Sequence, residues 1–391
     1  MDYRILHAGV DTLDIAFKGA FPVETIEMLE IVRKEAETGN RELPVTLGPG
    51  NVRMMVKSHG QRGGFRFVLT NGPCGAIFSV KASSNLQEWN LFVSVRALRL
   101  LTAGYEGTKD WLARTLKDAG FRTVEVSVNR IDYALDILAP DFELNAAHFV
   151  CTGRPKVRPH WSKEQLLDND GNIPRSVLRG RSFESVTIGT MPGRQVIVYD
   201  KRRAAIDQQQ PYWFDAWGIE RDDPGQRVWR VELRAGRDAL TKLLAKQAIG
   251  RPFAAVEQHI RTFLIGASGQ VRYTAPQGLQ ANISRVPPHP LWKTVQGALQ
   301  DLPVLQAAAL PEARVIETIR LQRRDMAEKQ AFGNLLNVGV LDGRSTEEII
   351  SRFPELAEEY ARRYSAAKGA SLLTAKVGEI QKRQALLQPG N

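Results

Sequence analysis

Two stretches of this chain carry the same alternating pattern of apolar and polar residues. VDTLDIAF at 10–17 and VNRIDYAL at 128–135 share a valine, an Asp or Asn, an aliphatic residue, an aspartate, an alanine and an apolar end. Strict alternation predicts a half-buried strand in each case. Each stretch is followed by an apparent helix and then by further strands, so the sequence predicts an internal duplication whose two sheets join into one.

The other elements follow from hydrophobic spacing and turn residues. We expect strands over 8–18, 51–60, 63–72, 75–84, 91–97, 124–137, 182–190, 194–201 and 227–235. We expect helices over 22–37, 107–119, 238–248, 252–265, 291–300, 312–333, 345–363 and 366–387. The fold class is then α+β, with duplicated mixed or antiparallel β-sheet halves, helices on one face and a helical C-terminal region. The expected domains are an N-terminal half (1–120), a second half that holds the site (121–250) and the helical region (251–391).

The charge balance points to a polyanionic partner. The chain has 53 Lys and Arg against 43 Asp and Glu, a net charge of +10, and an excess of this size favours nucleic acid. Its two cysteines, Cys74 and Cys151, indicate a reducing compartment. The first residues have no signal-peptide pattern, and no uncharged run is long enough to cross a bilayer. We therefore expect a cytoplasmic protein that binds DNA and has no membrane partner.

Two strand segments place acids and arginines on one side. In RIDYALD, Arg130 and Asp132 alternate with core residues, and in WRVELR the residues Arg230, Glu232 and Arg234 do the same. If the strands are neighbours, Asp132 and Glu232 supply hard oxygen ligands for Mg or Mn, and the arginines suit phosphate oxygens. The alternative is a surface of ordinary Arg–Glu pairs without chemistry.

A tyrosine ends a third alternating segment. In GRQVIVYDKRRA, Tyr199 is followed directly by Asp200, Lys201, Arg202 and Arg203. One interpretation is a strand-end residue with a packed ring and a wet hydroxyl. The other is a nucleophile surrounded by charges that hold a phosphate, Lys201 among them.

Residues 152–181 form a basic segment with an aromatic residue. Its DNA-binding candidates are Arg154, Lys156, Arg158, Trp161, Arg179 and Arg181, to which Arg230 of WRVELR is added. Such cations can contact the DNA phosphate backbone, and the aromatic ring can stack on bases, which suits partly single-stranded DNA. A solvated basic loop is the alternative.

The ordered set RIDYALD, VTIGT, VIVYDK and WRVELR resembles the replication initiation factor family, also called the Rep_trans family, over roughly residues 80–245. The family comprises rolling-circle plasmid initiators, related phage initiators and relaxases of some conjugative elements. The resemblance matches Tyr199 to the tyrosine of the Tyr-x-Lys motif, Asp132 to the aspartate of the Arg-Ile-Asp strand and Glu232 to the glutamate of the Glu-Leu-Arg strand. It departs at Thr187, where the family usually has a tyrosine.

The resemblance implies a metal-dependent DNA nickase that starts rolling-circle replication or conjugative transfer. It nicks and rejoins one strand at an origin through a tyrosine–5′-phosphate link, and leaves a 3′ hydroxyl for a polymerase. Tyr199, Lys201, Arg130 and Arg234 are then catalytic, and Asp132 and Glu232 hold Mg or Mn. The other candidate nucleophiles are Tyr105, Tyr133 and Tyr212, of which Tyr133 lies on the expected core side.

The absence of two motifs narrows the kinds of metal site and of enzyme that the sequence can encode. The sequence has no His-x-His pair and no GxxxxGK[ST] loop, so we expect a carboxylate metal site and no built-in ATP-driven helicase. The helical C-terminal region is free to bind the origin, form a homodimer or recruit a host helicase. HIRTF at 259–263 does not fit a tyrosine recombinase or topoisomerase. A DNA-binding partition or regulatory protein without catalysis remains the alternative.

Overall fold

The computed structural model describes residues 3–161, 183–245, 250–275, 286–301 and 309–387. The strands are β1 (Arg4–Ala20), β2 (Leu43–Leu47), β3 (Val52–Val56), β4 (Phe65–Thr70), β5 (Ala76–Lys81), β6 (Trp89–Val95), β7 (Arg122–Leu138), β8 (Phe149–Cys151), β9 (Val157–Trp161), β10 (Phe183–Gly189), β11 (Arg194–Asp200), β12 (Val228–Gly236) and β13 (Val271–Tyr273). The helices are α1 (Val23–Thr38), α2 (Ala97–Asp118), α3 (Lys201–Asp207), α4 (Tyr212–Trp217), α5 (Arg237–Leu244), α6 (Phe253–Gln270), α7 (Pro290–Asp301), α8 (Glu312–Leu341), α9 (Thr346–Ser351), α10 (Phe353–Lys368) and α11 (Ala370–Gln384).

Eleven of these strands form one sheet in the order β2-β3-β4-β5-β6-β1-β7-β12-β11-β10-β9. Every ladder between the described strands is antiparallel. The two long strands β1 and β7 lie side by side at the centre, and each is flanked by the later strands of its own half. The predicted α+β class and the joining of two sheets into one are confirmed.

The pairing of β1 with β7 has two-fold symmetry. Leu13 pairs with Ile131, and adding 118 to a β1 residue number gives its β7 counterpart. When both residues of a pair are replaced by their counterparts, the result is again a pair in this ladder. Thr12 pairs with Asp132, for example, and their counterparts Arg130 and Asp14 also pair. The bulges obey the same rule, because the register shifts occur at matching places in both strands. A repeated sequence that pairs with itself in this way supports the predicted duplication.

The correspondence continues outward from the central pair. β6 lies beside β1 as β12 lies beside β7, and β5 and β11 come next. The registers of these strands relate residues of the N-terminal half (β1–β6) to residues of the C-terminal half (β7 and β9–β12). Thr12 corresponds to Arg130, Asp14 to Asp132, Phe92 to Glu232, Ser94 to Arg234, Trp89 to Arg230, Lys18 to Asp136 and Lys81 to Tyr199.

One face of the sheet carries the main hydrophobic core. Leu13, Ile131 and Leu233 are fully buried there, and α1, α2, α5, α6 and α7 pack over them. Each such aliphatic side chain contributes about 1.5–3 kcal/mol of transfer free energy when it leaves water. Because successive strand residues point to opposite faces, the polar residues between them lie on the other side. We call that other side the site face.

Helices cover one end of the site face in the part of the chain that the structure describes. There α3, α4 and the start of α8 pack around a second apolar cluster that contains Trp213, Trp217, Val228 and Val315. The sequence did not predict α3 and α4, nor the short strands β2, β8 and β9. Lys201, expected at the end of a strand, is instead the first residue of α3.

The helical C-terminal region is present with changed boundaries. The helix expected over 345–363 is two helices, α9 and α10, because the chain leaves helical geometry at Arg352 just before Pro354. The capping box of Ser345 and Glu348 that starts α9 is formed. α2 begins ten residues earlier than expected and has a non-helical residue, Gly104, at φ 65°. No helix among the described residues is long and apolar enough to cross a membrane.

Candidate active site

Three neighbouring strands bring the predicted residues together. β12 lies between β7 and β11, so Arg230 pairs with Asp136 on one side and with Tyr199 on the other. Two residues along, Glu232 lies between Ala134 and Ile197, and Arg234 follows next to Asp132. The acids, arginines and phenol therefore share the site face, as the strand patterns predicted.

The Tyr199 hydroxyl donates a hydrogen bond to Glu232 Oε1 at 2.8 Å. The tyrosine is half-buried, whereas Glu232 is only 2% exposed. Burial raises the pKa of Tyr199 well above its ordinary value, and the Glu232 carboxylate acts in the same direction while Arg230 opposes it. The phenol is thus held protonated, with a carboxylate oxygen in place to accept its proton.

A chain of ion pairs connects Glu232 to Asp132. Arg234 donates from Nη2 to Glu232 Oε2 at 2.5 Å, and its Nε lies 3.3 Å from Asp132 Oδ2. Arg130 donates from Nε to Asp132 Oδ1 at 2.9 Å and from Nη2 to Oδ2 at 2.5 Å. Both arginine side chains keep about a quarter of their surface exposed, while the two acids are buried. A ligand on the site face therefore meets guanidinium groups before it meets the carboxylates.

The surroundings of Asp132 raise the pKa of its carboxyl group toward neutral pH. It has no exposed surface, and this burial raises its pKa to about 6, against the opposing effect of Arg130 and Arg234. The carboxylate is mostly ionised at pH 7 and becomes protonated just below that pH.

Arg230 is placed differently from the prediction that it contacts DNA. It is 1% exposed, and it donates from Nε and Nη2 to Asp136 Oδ1 and Oδ2 at 2.5 and 2.8 Å. Its Nη1 donates to Asp11 Oδ1 at 2.5 Å, and its guanidinium lies 4.4 Å from the centre of the Trp213 ring. All three nitrogens are engaged, so this position suits a residue that holds Tyr199 and β12 in place.

Lys201 lies at the covered end of the site face. It is 6% exposed, and its Nζ lies 4.5 Å from the centre of the Trp213 ring. Burial lowers the pKa of Lys201 to about 8, and Arg230 acts in the same direction. The amine therefore changes charge close to physiological pH.

The two acids fit a divalent cation in number and kind. Mg²⁺ is commonly bound by one or two carboxylates together with substrate phosphates and waters, and Asp132 and Glu232 offer carboxylate oxygens on adjacent strands. Among the described residues, no group of three or more His, Cys, Asp or Glu side chains gathers into a metal site.

The predicted DNA-binding cations of the basic segment lie elsewhere. Arg154 and Lys156 are exposed and line a groove of about 740 Å³ with Arg194 and Lys242. The helices α5 and α6 form its other wall, so the groove opens on the core side of the sheet and not on the site face. Arg158 is half-buried and donates to the Gly189 carbonyl oxygen at 3.3 Å.

Three further predicted residues are less defined. Trp161 ends β9, where its backbone pairs with Phe183. Arg179 and Arg181 lie outside the described residues. Their predicted contact with DNA stays a prediction.

The other candidate nucleophiles have no described hydrogen bond to Asp132 or Glu232. Tyr133 is 1% exposed and lies in the main core, as predicted. Tyr105 packs between α2 and α6, where its hydroxyl donates to Glu257 Oε1 at 3.1 Å. Tyr212 is the first residue of α4 and is buried in the second apolar cluster. Of the four, Tyr199 alone has a hydrogen bond to Glu232 among the described contacts.

Sequence reasoning missed several residues of the site. Asp11 and Trp217 help to hold Arg230 and Asp136 in place, with Trp217 Nε1 donating to Asp136 Oδ2 at 2.8 Å. Asp11 was visible as the second residue of VDTLDIAF, but its role follows from a bulge that turns it toward Arg230. The tryptophans of YWFDAW gave no signal, because nothing local links them to a strand 81 residues away.

No family model and no curated protein matches this chain. A solved structure, a rolling circle replication initiator protein from Geobacillus stearothermophilus, is 14% identical with a TM-score of 0.38. It covers 78% of this chain and 99% of its own. A TM-score of this size does not establish a shared fold.

Proposed function

We propose that this protein is a replication initiator that nicks and rejoins one DNA strand through Tyr199. The observation that carries the proposal is the 2.8 Å hydrogen bond from the Tyr199 hydroxyl to Glu232, next to a row of arginines on the site face. A phenol with a proton acceptor and cations beside it has the parts that phosphodiester transesterification requires. The net charge of +10 favours a nucleic-acid substrate.

In the proposed reaction the Tyr199 oxygen attacks the phosphorus of one phosphodiester bond. Its proton passes to Glu232, a bond forms between the phenol oxygen and phosphorus, and the bond from phosphorus to the 3′ oxygen breaks. The 3′ oxygen takes a proton from solvent, and the 5′ phosphate stays on the tyrosine. Because one phosphoester replaces another, the 3′ hydroxyl can attack in reverse and reseal the strand.

The arginines on the site face are proposed to hold the phosphate. Arg130 and Arg234 are the two that keep exposed surface, and guanidinium groups match phosphate oxygens in a bidentate manner. Arg230, which is buried, positions the strand that carries Glu232. Lys201 supplies a further positive charge at the covered end.

Asp132 and Glu232 are proposed to hold Mg or Mn. When bound, the ion would supply a Lewis acid that offsets charge on the reacting phosphate. The chain's own part is to present the two carboxylates on adjacent strands, and Arg234, which lies between them, would have to turn toward the phosphate to admit the ion.

The experiment that tests this proposal uses supercoiled DNA that carries the element's own origin, with Mg or Mn. We expect an open circle with protein attached to a 5′ end. Tyr199→Phe is expected to give no covalent product. Tyr105→Phe is the matched control, since it removes a phenol that also donates to a glutamate but lies outside the site.

The outcomes separate the two candidate functions. If Tyr199→Phe nicks as fast as the parent, the nucleophile is another residue. If the parent binds origin DNA but nicks none, the partition or regulatory function is correct. That second function is favoured by one observation, namely that both site acids are already neutralised by Arg130 and Arg234.

A further inference from the structure

The N-terminal half of the sheet carries a counterpart of the site with different chemistry. Through the two-fold register, Phe92 occupies the place of Glu232, and Lys81 occupies the place of Tyr199. Asp14 keeps the place of Asp132 but accepts a hydrogen bond from Ser94 Oγ at 2.5 Å. This half therefore has a phenylalanine ring where the C-terminal half has an acid, and a lysine where the C-terminal half has the tyrosine.

Aromatic rings and cations are grouped at this counterpart. Phe92 and Phe65 have ring centres 6.1 Å apart, and Lys81 Nζ lies 5.7 Å from the centre of the Phe65 ring. All three side chains are half-buried, so each keeps some surface open to solvent. Trp89, 36% exposed, pairs with Lys18 on β1, which lies on the site face because it alternates with Asp14 and Ala16. We call Phe65, Lys81, Trp89 and Phe92 the aromatic face.

We propose that the aromatic face binds single-stranded DNA, with bases stacked on Phe92, Phe65 and Trp89 and a backbone phosphate on Lys81. Sheet surfaces with exposed rings and interleaved cations bind single strands in this manner, because every base has a ring that stacks. Val68 and Ile77 lie on the same face beside Ser79 and Ser94, so the half-exposed rings belong to an apolar patch of the kind that marks an interaction site. The inference rests on the proposed function for its substrate class, since the same strand would pass over Tyr199.

The path between the two places is polar and continuous. From Asp132 the face runs through Arg130 to Asp14, its partner in the register, and on to Ser94. Strand spacings of about 4.8 Å and residue spacings of about 3.3 Å put Phe92 roughly 35 Å from Tyr199. Folds that bind single strands cover about 4–16 nucleotides, so one strand can reach both.

Binding is measured with fluorescent oligo(dT) of 24 nucleotides, which needs neither an origin nor nicking. Phe92→Leu keeps an apolar side chain but removes the ring, and we expect the affinity for oligo(dT) to fall by about fivefold or more. Phe92→Trp is expected to bind within about twofold of the parent. Phe332→Leu on α8 changes another exposed phenylalanine and serves as the control, with no expected change. Lys81→Gln is expected to reduce the slope of log affinity against log salt concentration by about one, because one phosphate contact is lost.

A second readout locates the DNA directly. Oligo(dT) that carries 5-iodouracil forms photo-crosslinks with stacked aromatic rings, and peptide mapping is expected to find them on Phe65 or Phe92. The proposal is overturned if Phe92→Leu binds like the parent, or if crosslinks map only to other parts of the chain. A parent that crosslinks at Phe92 but never nicks origin DNA would sink the proposed function and leave this inference standing.

Discussion

The two halves of the sheet share one framework and differ in what their site-facing positions carry. The C-terminal half places Asp132, Glu232 and Tyr199 in a row of buried acids and engaged arginines. The N-terminal half has Asp14, Phe92 and Lys81 at the corresponding places, with one short hydrogen bond from Ser94. The core side of both halves is equally apolar.

This difference teaches that the fold and the chemistry are set by alternate residues of the same strands. Core positions must stay apolar in both copies, because each aliphatic residue buried there contributes to folding. Site-facing positions that stay partly exposed, such as Lys81 and Phe92, are freer to diverge, since exposed residues add little to stability. One copy can therefore keep a reactive set while the other becomes a binding surface.

The largest expected effect comes from the acid that has no counterpart in the N-terminal half. Glu232→Gln keeps the shape of the side chain but removes the proton acceptor of Tyr199, so we expect nicking to slow by about 10²–10⁴-fold. The rate of covalent adduct formation on origin DNA is the measurement. Glu257→Gln, which alters the similar Tyr105–Glu257 pair, is the matched control. An unchanged rate in Glu232→Gln would refute the assigned role.

The next effect compares Asp136 with its counterpart Lys18. Asp136→Ala leaves Arg230 charged and buried, so we expect a loss of about 3–5 kcal/mol in the free energy of unfolding. Lys18→Ala removes only a half-exposed pair with Glu125 at 3.7 Å, which costs under about 1 kcal/mol. Denaturant unfolding of both variants is the measurement. Equal losses would mean that the buried cluster does not distinguish the halves.

A smaller effect concerns Lys201, whose folded pKa of about 8 lies below the unfolded value of about 10.4. Between these values the unfolded chain holds a proton that the folded chain has released, so stability rises with pH across this window and is constant below about pH 8, where both states hold the proton. We expect Lys201→Met to be more stable than the parent by up to about 3 kcal/mol at pH 7, with the gap closing by pH 10.5.

Denaturant unfolding at the two pH values checks this expectation. Lys81→Met, at the position corresponding to Tyr199, removes a half-exposed lysine and is expected to change stability by less than about 0.5 kcal/mol at both pH values. A gap for Lys201→Met that does not depend on pH would contradict the burial argument.

The smallest effect is the pH profile of nicking. Asp132, with a pKa of about 6, is ionised above that pH, so we expect the rate to fall about tenfold between pH 7 and pH 5 as the carboxylate takes up a proton. Its counterpart Asp14 is outside the site, and Asp14→Asn is expected to keep the same profile. Initial rates across this range are the measurement, and a flat parent profile would remove Asp132 from the reaction.

Much of the fold could be predicted because its signals are local. Alternation in RIDYALD and WRVELR fixed which side of each strand meets the core, and the repeat at 10–17 and 128–135 indicated the duplication. The short elements α3, α4, β8 and β9 were not predicted, because three to seven residues carry too little periodicity. The sequence pattern predicted Lys201 at the end of a strand. In the structure it begins α3, because the Asp200 side chain caps this helix by accepting a hydrogen bond from the Arg203 amide.

The sequence by itself determined the two alternating faces, the repeated strand, the basic charge and the candidate residues Asp132, Tyr199 and Glu232. Only the tertiary structure decided that β12 lies between β7 and β11, that Arg230 is buried against Asp136 and Asp11, and that Lys81 corresponds to Tyr199. The physical reason is range: the direction of a side chain follows from its neighbours along the strand, whereas strand order depends on how the whole apolar surface is buried at once.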